Sequence, residues 1–139
     1  MQADFLDAHE RHWTDAETLF QAQRWANADH LYGMAAECGL KRLMLAFGMK
    51  VNPSTGSPVD GKDWKHANGI WARFESYRCG HHQGAAYVLP TPDPFTDWEV
   101  AQRYAHQSNF DQARVNDHQS GASQVRELVK KARREGLIC

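Results

Sequence analysis

The chain has 139 residues, 42% hydrophobic and 24% charged, with a formal net charge of −1. That is the length of a single domain whose core needs no staple and the composition of a globular chain rather than a disordered one. Its charge balance gives no global electrostatic case for nucleic-acid binding.

Residues 4–23 read as a first helix, because Phe5, His9, Trp13, Ala16 and Phe20 recur at spacings of three and four. Residues 25–47, WANADHLYGMAAECGLKRLMLAF, carry only four charged positions, Asp29, Glu37, Lys41 and Arg42. A helix apolar most of the way round is packed on several sides. A second helix over about 26–47 is therefore expected at the centre of a bundle, with Gly48 as its stop. Glu37 and Lys41 stand i, i+4 with the acid first, and are expected as a partly buried polar pair of the bundle.

Residues 48–62 hold three Gly and two Pro and read as a long loop. A third helix is predicted over about 63–78, capped by Asp63, with Trp64, Ala67, Trp71, Phe74 and Tyr77 as a stripe at helical spacing. Cys79 to Thr91 is irregular, and TPDPF bars a helix in its middle. Thr96 and Glu99 read as a capping box ahead of a short helix holding Trp98, Val100, Ala101 and Tyr104. The last helix is predicted over about 109–135, with Val115, His118, Ala122, Val125, Val129 and Ala132 facing inward and Gly136 at its end. Arg126, Lys130, Lys131, Arg133 and Arg134 crowd its final turns, where cations suit the helix dipole. No segment alternates as a strand does. The expected fold class is all-α: a single domain, 1–139, built as an up-and-down bundle of four main helices plus a short fifth. The 48–62 and 79–97 loops are expected at one end.

The second helix resembles the HEPN family, whose long second helix carries a pattern like A-x-x-L-x-x-x-A-A-E-x-x-L-K-x-L-(L/M). Here that stretch runs from Ala28 to Met44, with Ala35-Ala36-Glu37 and Leu40-Lys41 as its closest elements. WEVAQRY, Trp98 to Tyr104, is similar to a W-x-x-x-x-R-Y element that precedes the last helix in some members. The resemblance implies a helical bundle that forms two-fold homodimers and needs no cofactor. Many members are metal-independent ribonucleases of toxin–antitoxin, CRISPR and phage-defence systems. Others are non-catalytic and pair with small nucleotidyltransferases. The ribonuclease members place an Arg, four to six residues, then a His near the start of the last helix. The nearest candidate in that place is Arg114-Val-Asn-Asp-His118, one residue short. Arg24 and His30 have the spacing but lie at the first helix junction. The resemblance thus implies a divergent, non-catalytic module that dimerises and associates with a nucleotidyltransferase-type partner or with nucleic acid. The alternative is a metal-independent ribonuclease of toxin or phage-defence type that uses Arg114 and His118.

For such a ribonuclease, His118 would exchange protons with the 2′-hydroxyl or leaving oxygen, and Arg114 would stabilise the phosphorane charge. Otherwise His118 fills the inner stripe and Arg114 pairs with Asp111 or Asp117. Arg103 would bind a phosphate or partner carboxylate, or else pin the 79–97 loop with Tyr104 packed beneath it. Lys130 and Lys131 would touch RNA phosphates, or else belong to a solvated helix end. The eight histidines form no HExxH and meet no CxxC, so no metal site is expected. Five tryptophans suggest apolar surface for association. Three cysteines, widely spaced and odd in number, suggest a reducing compartment. No N-terminal leader pattern and no run of ~18 apolar residues appear, so a soluble cytoplasmic protein with no membrane contact is expected.

Overall fold

Asp4 opens the first helix, its carboxylate accepting the backbone N–H groups of Leu6 and Asp7. The structure, a computed structural model, describes residues Met1–Cys139. Its main elements are four α-helices: α1 (Phe5–Gln21), α2 (Trp25–Ala46), α3 (Ala67–Cys79) and α4 (Gln112–Arg134). Short 3-10 turns lie between them, and the only strand-like pairing is an isolated bridge between Val51 and Pro58. The all-α class read from the sequence is what the chain adopts. No helix is long and apolar enough to cross a membrane.

The buried residues of α2 fall on nearly every side, from Ala28 through Met44, as the sparse charge of its sequence implies. The short link Ala22–Arg24 forces α1 and α2 into an antiparallel pair. His9 reaches Ala35, Trp13 meets Tyr32 and Phe20 meets Trp25. The bundle is not up-and-down beyond that point. His66, which precedes α3, meets Glu37, and Phe74 further along meets Phe47, so α3 runs with α2. His118 and Val125 of α4 meet Asp29 and Gly39, so α4 runs with α2 as well. The connections 47–66 and 80–111 are long enough to carry the chain back each time, which short loops cannot do.

Those connections do not gather at one end. Tyr87 packs on Phe47 near the C-terminus of α2, whereas Trp98 bonds Asp29 near its N-terminus. The 80–111 segment therefore runs the length of α2. Phe95 and Trp98 are fully buried along it. Two glycines make room: a Cβ on Gly33 would lie 2.1 Å from the Trp98 ring, and one on Gly121 would lie 2.5 Å from Pro94.

Three local expectations fail for identifiable reasons. The short fifth helix is a 3-10 turn, Val100–Tyr104, and its capping box pairs Glu99 with Gln102 rather than Thr96 with Glu99. Asp63 does not cap α3. It is buried and bonds Arg73 Nε at 2.6 Å and the Tyr77 hydroxyl at 2.6 Å, so α3 starts only at Ala67. Trp64 consequently lies off the helix, 61% exposed, with its indole N–H donated to the Pro58 carbonyl.

Candidate functional site

Arg114 and His118 lie one turn apart near the start of α4, whose first turn is capped by Asp111. The i, i+4 spacing turns both side chains toward α2 and the 93–102 segment. They meet there around three residues that sequence reasoning passed over as site members: Asp29, Asp97 and Gln102.

Asp29 is fully buried on α2. Its Oδ1 lies 2.5 Å from His118 Nδ1, and its Oδ2 accepts from Gln102 Nε2 at 2.7 Å and Arg114 Nε at 3.3 Å. On the outer side, Asp97 Oδ1 lies 2.8 Å from His118 Nε2. Arg114 Nη1 reaches Asp97 Oδ2 at 3.3 Å, while Nη2 donates to the Asp97 carbonyl at 2.6 Å and Gln102 Oε1 at 3.2 Å. Phe95 stacks on the imidazole, ring centroids 5.2 Å apart.

With Asp29 and Asp97 both ionised, these hydrogen bonds require a charged ring. An ionised carboxylate only accepts, so an imidazole bonded to one carboxylate on each nitrogen donates from both and is an imidazolium. Burial opposes that charge, yet the bonds and charges of Asp29 and Asp97 outweigh it and hold the His118 pKa above its ordinary value. Partial burial likewise pushes Asp97 upward, but the His118 bond and the His118 and Arg114 charges win and hold it below the usual carboxylate range. Two cations face two anions, so the cluster is locally neutral, as a buried ionic group must be.

The side chains differ sharply in exposure. His118 is 1% exposed and Asp29 0%, but Asp97 is 62% exposed and lines two open cavities of about 530 and 540 Å³. The guanidinium of Arg114 turns neither to Asp111 nor to Asp117. Asp111 receives only its backbone N–H.

The other expected site residues do not join this cluster. Arg103 stacks on its own neighbour Tyr104 at 4.8 Å, and Tyr104 is 79% exposed rather than packed beneath it. Gln102 of the same turn fastens the segment instead. Glu37 and Lys41 are both buried and bonded at 2.8 Å, with His66 Nδ1 at 3.2 Å from the second Glu37 oxygen. Four of the five basic residues clustered in the final turns of α4 are held within the chain: Arg126 and Arg133 face Glu10, Lys130 bonds Glu127, and Lys131 donates to the Ala86 carbonyl. No group of three or more His, Cys, Asp or Glu side chains is arranged to hold a metal ion.

Asp29 did carry a signal in the sequence, as an acid with no basic residue one turn away in an apolar helix, because a buried charge is the informative exception. Nothing local marked Asp97. No known protein family, characterised protein or solved structure matches the chain.

Proposed function

We propose that the protein is a divergent HEPN-like module that acts by association, pairing with a second copy and with a nucleotidyltransferase-type partner or nucleic acid. The observation that carries this reading is the occupancy of His118. Both ring nitrogens are bonded to carboxylates and the side chain is 1% exposed, so neither nitrogen is free to exchange a proton with a substrate hydroxyl. Arg114 spends Nε and both Nη atoms on Asp29, Asp97 and Gln102, leaving little to meet a phosphorane. Trp64 and Tyr104 stand exposed, in keeping with surfaces used for association.

A metal-independent ribonuclease using Arg114 and His118 is the second reading. What supports it is that the two side chains converge on one carboxylate pair whose outer member, Asp97, opens onto two cavities. The test is incubation of the purified protein with a mixed RNA pool in EDTA, with its mass in solution measured alongside. A folded dimer that leaves the RNA intact is the expected result. Metal-independent cleavage that is lost in His118→Ala would overturn the association reading in favour of the second.

A further inference from the structure

Asp97 is a surface side chain bonded to a buried ring. Its carboxylate is 62% exposed, yet it occupies the outward nitrogen of an imidazole that is 1% exposed. Behind the ring, Asp29 holds Nδ1 from the core at 2.5 Å, and Phe95 stacks on the ring face. Without Asp97 these groups form a carboxylate–imidazole dyad with Nδ1–H fixed inward and Nε2 facing out, the arrangement that makes histidine a proton acceptor.

The segment that carries Asp97 has no need to move for that to happen. Phe95 and Trp98, on either side of it, are fully buried, and Trp98 donates its indole N–H to the Asp29 carbonyl at 3.1 Å. Rotation of the Asp97 carboxylate also gives up its contact with Arg114 Nη1, but Arg114 keeps its bonds to the Asp97 main-chain carbonyl, to Gln102 and to Asp29. A rotation about the Asp97 side-chain bonds, into either adjoining cavity, is therefore enough.

We propose that the Asp97 carboxylate is a latch over a preformed Asp29–His118 dyad, and that its rotation toward solvent uncovers His118 Nε2 beside Arg114. In the latched state His118 is the imidazolium. On opening, the Nε2 proton passes to water, Nδ1 keeps its proton and donates it to Asp29, and Nε2 presents a lone pair. The groups that face the ring decide the balance. They are Asp29 from α2, Arg114 from its own helix, and Asp97 and the half-buried Asp93 from the 93–102 segment. The latch goes beyond both functional readings: the association reading describes the latched state, in which Nε2 is occupied, and the ribonuclease reading needs the open one.

The test is the rate at which diethyl pyrocarbonate modifies each histidine near neutral pH, read by peptide mass spectrometry on the full chain. In the unaltered protein His118 is expected to be protected. Asp97→Ala, with an unchanged circular-dichroism spectrum, is expected to raise the rate at His118 by about an order of magnitude or more while leaving the other histidines as they were, since only local cover is lost. Asp97→Asn retains the shape of the cover and is expected to stay close to the unaltered rate. A folded Asp97→Ala protein whose His118 remains unreactive would overturn the latch, as would fast modification of His118 in the unaltered protein. Nitrogen-15 shifts of the His118 ring give an independent check without any substitution. Two protonated nitrogens at neutral pH are expected, and a neutral ring there would also overturn it.

Discussion

Asp29 and Asp97 bond the same imidazole, yet they are unequal partners. Asp29 is fully buried, and removing it leaves one donor each of His118, Gln102 and Arg114 unmet. Breaking a buried ionic group costs about 3–5 kcal/mol, and Asp29→Ala is expected to lose that much in urea denaturation. Asp97 faces water, which screens the interaction, so Asp97→Ala is expected to cost about 1 kcal/mol or less in the same measurement. Equal losses would show that Asp29 is not the core of the cluster. Cys38 is a second residue whose environment decides its chemistry. Burial, with the nearby Glu37 charge, pushes its thiol up to about 12, so it packs as an apolar group while Cys79 and Cys139 lie exposed.

Among the elements, α2 is central because its neighbours approach on several sides, and its small residues set how closely. At Gly33 the 93–102 segment lies against the α2 backbone, with the Trp98 ring where a Cβ would be. Gly33→Ala must push that ring aside, and overpacking of this kind costs about 1–3 kcal/mol. The expected outcome is a urea midpoint lowered to match, together with a shifted Trp98 indole N–H resonance as its bond to Asp29 lengthens. At the start of α4, Asp111 satisfies the Arg114 N–H, and Asp111→Ala is expected to cost about 1 kcal/mol in the same denaturation. The periodic stripes of α1, α2 and α4 were legible because each helix buries one face or most of its surface. The start of α3 was not. Asp63 has the right residue type for a cap, and only the approach of Arg73 and Tyr77 assigns it elsewhere.

Across the whole molecule the histidines set opposite slopes of stability against pH. His9, His12 and His30 have pKa values lowered, burial being the largest cause in each. The unfolded chain takes up protons at these positions that the folded chain refuses, so stability falls as pH drops below the ordinary histidine value of about 6.5. His118 has its pKa raised, so its contribution is whole below about 6.5 and is lost as pH rises through the folded value. Asp97, lowered, contributes above the ordinary aspartate value of about 3.9 and loses that contribution as pH falls through its folded value. The melting temperature is thus expected to peak near pH 6.5, and His118→Gln is expected to flatten the alkaline side of the profile while leaving the acid side in place. Thermal melts from acid to alkaline pH check this, and an unaltered alkaline limb in His118→Gln would show that the ring is not held as an imidazolium.

By itself the sequence determined the helical class, the position of α2 at the centre and the inward face of α4, because apolar periodicity and the near absence of charge act locally along each helix. The pairing of Glu37 with Lys41 was legible for the same reason, being one turn of a single helix. The tertiary structure alone decided that α2, α3 and α4 run the same way, since long connections leave direction open. It alone decided that Arg114 turns from the nearby Asp111 and Asp117 to Asp29 and Asp97, residues 85 and 17 positions away. A half-buried cation takes whichever carboxylates the packing brings to it, and sequence distance has no part in that choice.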